Sequence, residues 1–201
     1  MGETEFFKKL VDRLDAPVVD PFATFTASWV RAYAEDGRPN RHKCMRAWRL
    51  LRDCGAGCLI GEDFQGMIDC LSYSAAVERS GADVPIYLLA AATWGGDVIG
   101  AACGISTSRG ITCDWIAVSP AFRLLGVGRR LVGMFHDLGQ AKGLPVYSAV
   151  PESHLEQCAF FRRCGWSVPR DRPTAWLNGQ MHALIGVGEL PQDSCAIRIA
   201  R

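Results

Sequence analysis

Apolar side chains recur at helical spacing through the first quarter of the chain. This periodicity, which places apolar residues on one face of a helix, predicts three helices. They cover residues 3–14, Phe22–Ala34 and about Arg41–Cys54, and Gly55 and Gly57 end the last of them. This part of the sequence therefore predicts helices before any strong strand.

From about residue 57 the apolar residues come in short continuous runs, which are typical of buried strands. Two brief runs, Leu59–Ile60 and Ile68–Leu71, indicate weak strands. Three longer runs follow, separated by short glycine-containing turns, and they predict an antiparallel meander. Its strands are Ile86–Ala92, Val98–Ile105 and Ile111–Val118.

The second half alternates between helical periodicity and short apolar runs. It predicts a helix from about Gly128 to Lys142, a strand at Val146–Val150 and a helix at His154–Cys164. A further strand begins at Trp166–Val168, and apolar pieces within Trp176–Ala200 finish the sheet. Together with a length of 201 residues, this pattern predicts one α/β (α+β) domain.

Composition excludes several classes of protein. Apolar residues make up 49% of the chain and charged residues 21%, which is ordinary for a soluble globular protein. The sequence has no run of 18 apolar residues, and its first turns mix both charge signs, so we expect neither a membrane span nor a secretory signal but a cytoplasmic protein. The net charge of +1 is not that of a strongly basic nucleic-acid binder, although a local basic patch is compatible with it.

The nine cysteines contain no C-x-x-C pair, and their number is odd. Without an export signal, reduced thiols are the expected state. Cys54 and Cys58, with Cys44, Cys70 and His42 nearby in sequence, leave a zinc site open, but small buried thiols are the favoured interpretation. We therefore expect no metal.

The loop Arg123–Gly128 (RLLGVG) leads from a predicted strand into a predicted helix. Its glycines lack side chains, and the first N–H groups of the helix have no partner within the helix, so the loop predicts a cradle for a pyrophosphate. Arg129 and Arg130 add positive charge. The dinucleotide fingerprint G-x-G-x-x-G fails at Leu131, and no Gly-Lys-Ser/Thr follows.

The spacing Arg123-x-x-Gly126-x-Gly128 resembles the R/Q-x-x-G-x-G/A signature of the GNAT superfamily, the acyl-CoA-dependent N-acyltransferases. AFFRRCGW (159–166) resembles the family's A-x-Y-x-x-x-G-F element. The resemblance covers about residues 86–170. It implies a mixed, mostly antiparallel sheet with a splayed parallel pair, flanked by helices.

The resemblance also implies how the chain is organised. Residues 1–20 are expected to form an N-terminal helical segment, and residues 21–201 a single GNAT domain. Within that domain, residues of about 22–56 correspond to the family's variable N-terminal helices. Residues of about 86–170 correspond to its acyl-CoA-binding core.

In this family the strand before the loop pairs with the pantetheine arm of the cofactor. By resemblance, the Ile116 N–H faces the acyl carbonyl, where it would stabilise developing negative charge, and Val118 pairs with pantetheine. The expected cofactor-binding residues are Ile116, Ala117, Val118, Arg123, Leu124, Leu125, Gly126, Val127, Gly128, Arg129, His154 and Phe161.

A base must take a proton from the acceptor amine. The family often has a glutamate on this strand, where this chain has Thr112, so Asp114 is proposed as the base. Because residues two apart in a strand share a face, we expect Asp114 to point the same way as Thr112 and Ile116. The alternative is a carboxylate that pairs with an arginine and only positions the substrate.

The family's tyrosine that protonates the leaving thiolate is replaced by Phe161. Another group must then supply the proton, or the thiolate leaves without one. The groups within range are Tyr147, Ser153, His154 and Cys158, of which Tyr147 and His154 join Asp114 and Ile116 as the catalytic candidates. Cys158 as a covalent acyl carrier is a further option, without any sequence feature that would lower its pKa.

The resemblance implies transfer of an acyl group, expected to be acetyl, from coenzyme A to an amine by direct attack in a ternary complex. The basic segment 38–52 leaves a DNA partner open, and TASWVRAY (Thr26–Tyr33) is similar to the N-terminal helix of bacteriophage GNAT proteins. One alternative is therefore a phage enzyme that modifies a DNA base. A second is an inactive acyl-CoA-binding protein. We expect a monomer or homodimer and no membrane partner.

Overall fold

The computed structural model describes residues 25–33, 40–53, 63–80, 83–151, 154–167, 174–177 and 180–188. The predicted helix at residues 3–14, the predicted strand at Leu59–Ile60 and the Cys54–Cys58 pair lie outside these ranges. Most of the predicted C-terminal strand region lies outside them as well.

Eight strands in the described part of the chain form one mixed sheet, in the order β1-β2-β3-β4-β6-β8-β7, with β5 paired to β3. The strands are β1 (Thr26–Trp29), β2 (Ile86–Trp94), β3 (Asp97–Thr107), β4 (Gly110–Thr112), β5 (Trp115–Val118), β6 (Val146–Pro151), β7 (Thr174–Leu177) and β8 (Gln180–Val187). The β4–β6 pair is parallel and the other pairs are antiparallel. The expected mixed, mostly antiparallel sheet with one parallel pair is confirmed.

Helices cover both faces of the sheet. They are α1 (Arg41–Asp53), α2 (Phe64–Ser80), α3 (Val127–Lys142) and α4 (Leu155–Arg163), and a 3₁₀ turn at Pro120–Phe122 precedes α3. Leu131 and Phe135 of α3 are fully buried in one cluster, whereas Ala47 and Leu51 of α1 are fully buried in the other. We call the two sides of the sheet the α3 face and the α1–α2 face.

Two predicted elements are wrong. The helix expected at Phe22–Ala34 is replaced by β1, which pairs antiparallel with β2 and packs Trp29 against Phe135 at a ring-centroid distance of 5.0 Å. The first four residues of TASWVRAY therefore form a strand in this chain and not a helix. Pairing with β2 outweighs the weak helical spacing of a segment this short.

The strand expected at Ile68–Leu71 lies inside α2. Met67, Leu71, Ser74 and Val77 are buried, and their spacing is that of one helical face. The short apolar run was therefore one turn of a longer amphipathic helix. None of the helices described is both long and apolar enough to cross a membrane.

Candidate functional site

The strand predicted at Ile111–Val118 is interrupted by a β-bulge. Ser106 pairs with Ile111 and Cys103 pairs with Trp115, so three steps along β3 correspond to four steps along the neighbouring chain. The extra residue lies between β4 and β5. A bulge of this kind bends the strand and redirects the side chains that follow it.

Gly104, which lies opposite the bulge, leaves room for it. A Cβ atom at this position would collide with the Thr112 carbonyl oxygen. The neighbouring Ile105 N–H donates to the Thr112 side-chain hydroxyl at 3.0 Å. The hydroxyl thus occupies a place that a backbone acceptor fills in a regular ladder.

The bulge corrects the expected direction of one side chain. Thr112 and Asp114 do point the same way, since the Thr112 hydroxyl donates to Asp114 Oδ2 at 2.8 Å. Ile116, however, packs against the α3 face, whereas Trp115 packs against the α1–α2 face. The expectation that Asp114 and Ile116 share a face is wrong because the inserted residue shifts the alternation by one.

β4 and β6 run side by side only briefly. Thr112 pairs with Tyr147, and the Cys113 N–H donates to the Tyr147 carbonyl at 2.9 Å. Beyond this point β5 continues on β3, β6 continues on β8, and no described pairing joins β5 to β6. The sheet therefore opens into a gap between β5 and β6.

Backbone groups of β5 face this gap. The Ser119 N–H donates to the Ile99 carbonyl at 2.9 Å, which marks one hydrogen-bonded pair of the β3–β5 ladder. Because such pairs alternate, Ala117 bonds toward β3, whereas the N–H groups of Ile116 and Val118 face away from it. Arg123 Nε lies on that side and donates to the Val118 carbonyl at 3.3 Å.

The loop after β5 ends at an uncapped helix. Gly126, at φ +81°, is the N-cap of α3 and supplies no side-chain hydrogen bond. Within the helix, the Arg130 N–H donates to the Gly126 carbonyl at 2.9 Å. The N–H groups of the first turn before Arg130 have no intrahelical acceptor, so this terminus can bind an anion.

The side chains around this terminus are exposed and mostly cationic. Leu124 has a φ of +64° and is fully exposed, which places it at the tip of the loop. Arg123, Arg129 and Arg130 are exposed, and Arg130 lies 4.0 Å from Asp137. Leu125 is half-buried and Val127 is buried. At these two positions the groups that can contact a bound anion are therefore those of the backbone.

Gly128 leaves its backbone accessible and also allows close packing of α3 against neighbouring side chains. A Cβ atom there would lie 3.2 Å from the ring of Phe160 and 3.7 Å from Val118 Cγ2. Phe161, which the sequence assigned to the cofactor, is buried and stacks on Trp166 at 4.7 Å. The ring beside the loop is thus that of Phe160, and the sequence pattern alone does not distinguish two adjacent phenylalanines.

Asp114 is the one carboxylate among the residues that the sequence assigned to the site. Desolvation by burial raises its pKa to about 6, although the hydrogen bond from Thr112 works in the opposite direction. No arginine or lysine pairs with Asp114 in the described part of the chain. This carboxylate can therefore accept a proton near neutral pH.

Tyr147 is buried beside Thr112 on the same side of the sheet. Burial and the nearby Asp114 raise the pKa of its hydroxyl above the ordinary value. A Cβ atom at Gly110 would lie 2.9 Å from the Tyr147 ring, so the ring leans toward the closed end of the β4–β6 pair. Tyr147 is thus a neutral hydroxyl close to Asp114.

His154 lies at the other end of β6. It is exposed, precedes α4 and donates its N–H to the Pro151 carbonyl at 2.8 Å. Its carbonyl accepts from the Cys158 N–H at 3.2 Å, and Cys158 is half-buried. Ser153 lies outside the described residues.

The basic face of α1 is largely engaged in contacts within the chain. Lys43 Nζ donates to Ser28 Oγ at 2.6 Å, and Arg46 lies 3.3 Å from Asp97. Arg52 lies 2.8 Å from Asp53 and stacks over Trp48 at 4.7 Å. In the ranges described there is no group of three or more histidine, cysteine or acidic side chains arranged to hold a metal ion.

Comparison with known proteins identifies the family of this arrangement. The model of the acetyltransferase (GNAT) family matches residues 59–166, which is more than half of the chain. No curated protein sequence matches.

Solved structures show the same fold. Ard1 from Thermoplasma volcanium is 15% identical with a TM-score of 0.56, and the match covers 83% of this chain and 99% of that one. A GNAT-family protein from Desulfovibrio desulfuricans is 17% identical with a TM-score of 0.55, covering 81% and 98%. YncA from Salmonella typhimurium, solved with acetyl-CoA, is 14% identical with a TM-score of 0.53, covering 85% and 95%.

Proposed function

This chain belongs to the GNAT acetyltransferase family, and on that premise we propose that it transfers an acetyl group from acetyl-CoA to a primary amine. The reaction is direct attack of the amine on the thioester while both substrates are bound. One observation carries the proposal. The Ile116 N–H faces the gap between β5 and β6, next to the uncapped N-terminus of α3.

The α3 terminus would hold the pyrophosphate of coenzyme A. Its free N–H groups, with Arg123 and Arg129 exposed beside them, match an anion in charge and hydrogen bonding. Pantetheine would follow β5 through the gap, and Phe160 would contact it from α4. The Salmonella relative, solved with acetyl-CoA, supports this choice of cofactor.

The Ile116 N–H would polarise the thioester carbonyl. Negative charge grows on the carbonyl oxygen during attack, and a fixed backbone donor stabilises it without having to reorganise. In a water-poor gap, loss of one such donor typically costs two to three orders of magnitude in rate. The Ile116 side chain packs against the α3 face and keeps this donor in place.

Asp114 would act as the base, directly or through one water. A primary amine with a pKa near 10.4 is mostly protonated at neutral pH, and a carboxylate with a pKa of about 6 can accept its proton. Because Asp114 and Ile116 lie toward opposite faces of the sheet, the amine would approach from the α1–α2 face and acetyl-CoA from the α3 face.

The leaving thiolate also needs a proton. Tyr147 is a neutral buried hydroxyl beside Asp114, whereas His154 is exposed where the chain leaves β6. Replacement of each, as Tyr147→Phe and His154→Asn, distinguishes them. The acid is the residue whose loss lowers kcat while the KM for acetyl-CoA stays unchanged.

The test of the whole proposal is release of coenzyme A thiol from acetyl-CoA in the presence of a panel of primary amines. We expect turnover with at least one amine, and loss of that turnover in Asp114→Asn. If acetyl-CoA binds but no amine is acetylated, the chain is an acyl-CoA-binding protein without transferase activity. If acetyl-CoA does not bind, the proposal is wrong.

A nucleobase acceptor in phage DNA is a second candidate. Its support is the exposed Arg41 and Arg49 on α1, but Lys43, Arg46 and Arg52 contact other residues of the chain. Charge reversal at Arg46 and Arg49 distinguishes a DNA acceptor from a small-amine acceptor. Under this alternative the double variant loses a salt-dependent DNA shift, whereas under the amine proposal small-amine acetylation stays unchanged.

A further inference from the structure

The hydroxyl of Thr112 accepts one hydrogen bond and lies within reach of two acceptors. It accepts a hydrogen bond from the Ile105 N–H at 3.0 Å and lies 2.8 Å from Asp114 Oδ2 and 3.4 Å from the Ile105 carbonyl oxygen. A threonine hydroxyl has one proton to donate. The shorter contact, to a carboxylate, takes that proton.

We propose that Thr112 is a positioning residue that fixes the Asp114 carboxylate for proton transfer. Its hydroxyl binds Oδ2, so that Oδ1 would be the oxygen that takes the proton from the amine. This inference rests on the proposed function for the role of Asp114, but the hydrogen bond itself does not depend on it.

The bulge explains why a threonine can do this. In a regular ladder the Ile105 N–H bonds to a backbone carbonyl of the next strand. The extra residue between β4 and β5 displaces that carbonyl, and the Thr112 hydroxyl takes its place. The hydroxyl is thus anchored to β3 on one side and to Asp114 on the other, so serine can replace it but valine cannot.

The charge environment of Asp114 makes this hydrogen bond measurable. The titratable groups in the described chain that interact electrostatically with Asp114 are Tyr147 on β6 and Cys113, the preceding residue, and burial raises the pKa of both. Cys103 on β3 and Cys164 after α4 lie near Cys113. Burial also raises the pKa of Cys164, so Tyr147, Cys113 and Cys164 are uncharged at pH 7. The hydrogen bond from Thr112 is thus the interaction that opposes desolvation of the Asp114 carboxylate.

The direct test is NMR titration of side-chain ¹³Cγ-labelled aspartate in the full chain, with Asp114→Asn to assign the signal. Relative to the natural protein, Thr112→Val should move the Asp114 midpoint upward by about half a pH unit or more, and Thr112→Ser should leave it in place. Should Thr112→Val fail to fold, Thr112→Cys, a weak donor, should move the midpoint in the same direction.

The kinetic arm uses acetyl-CoA and an amine acetylated by the natural protein. Thr112→Val should lower kcat and shift the acid limb of kcat/KM upward by the same interval, with the KM for acetyl-CoA unchanged, and Thr112→Ser should restore both. An unmoved Asp114 midpoint overturns the inference. A moved midpoint in a protein that acetylates no amine supports the hydrogen bond and refutes the proposed function instead.

Discussion

At the scale of single residues, Asp114 shows how a candidate site can cost stability. A partly buried carboxylate without a cation partner is disfavoured in its charged form, and its pKa rises to about 6. The ordinary value in an unfolded chain is about 3.9. The folded protein therefore binds this proton more tightly than the unfolded chain, and stability falls as pH rises from about 4 through 6.

The first prediction follows from this loss of stability on ionisation of Asp114. Asp114→Asn should be more stable than the natural protein by about 1–2 kcal/mol at pH 7.5, after allowance for partial exposure of the carboxylate. The difference should shrink as the pH falls and vanish near pH 3, where both folded and unfolded states hold the proton. Urea unfolding at the two pH values measures it.

Asp97→Asn is the matched control. Asp97 is an exposed carboxylate in a surface ion pair with Arg46, and such pairs contribute about 0–1 kcal/mol. Its replacement should change the free energy of unfolding little at either pH. Equal stability of Asp114→Asn and the natural protein at pH 7.5 would contradict a desolvated carboxylate.

At the scale of elements, the sequence predicts well what periodicity determines. The meander, α3, β6 and α4 lie within a few residues of their predicted bounds because long apolar runs and helical faces leave a strong pattern. The loop Arg123–Gly128 was predictable from its glycines and its position before a helix. The N–H donors it was expected to supply are those of the uncapped α3 terminus.

The predictions that were wrong concerned features that depend on contacts between segments distant in the sequence. β1 has only four residues, and its partner lies more than sixty positions along the chain. A bulge adds one residue without changing the apolar run, so the separation of Asp114 from Ile116 could not be read from Ile111–Val118. Which of Phe160 and Phe161 contacts Gly128 depends on the rotation of α4 against α3.

The second prediction concerns the start of α3. Gly126→Ala forces a side chain into a left-handed conformation (φ +81°), which costs about 1 kcal/mol. The first-turn N–H groups should also tilt away from the pyrophosphate. We expect acetyl-CoA to bind about tenfold more weakly, measured by isothermal titration calorimetry.

Gly133→Ala, in the same helix, separates this effect from helix propensity. A Cβ atom at Gly133 meets nothing within 4 Å, so the variant should be more stable by about 0.5–1 kcal/mol. Its affinity for acetyl-CoA should be unchanged. If Gly126→Ala and Gly133→Ala bind acetyl-CoA with equal affinity, the N-terminus of α3 does not bind the pyrophosphate.

At the scale of the whole molecule, the gap between β5 and β6 separates two chemical environments. The α3 face carries the uncapped helix and its arginines, and the α1–α2 face carries Thr112, Asp114 and Tyr147. Backbone donors of β5 lie between them. Under the proposed function, acetyl-CoA and the amine would reach this gap from these two different sides.

Binding at such a gap must stabilise the entire fold. A ligand at one hundred times its Kd stabilises the folded state by about 2.7 kcal/mol, which for a chain of 201 residues raises Tm by about 5–10 °C. Acetyl-CoA should produce this shift in a thermal unfolding experiment.

S-acetylpantetheine, which has the arm and thioester but no pyrophosphate, should produce a smaller shift at the same concentration, since the α3 terminus stays without its anion. Added salt should reduce the first shift and leave the second nearly unchanged, because only the first depends on exposed charges. Equal, salt-independent shifts would mean that the arm alone carries the affinity and that the arginine-lined loop does not bind the cofactor.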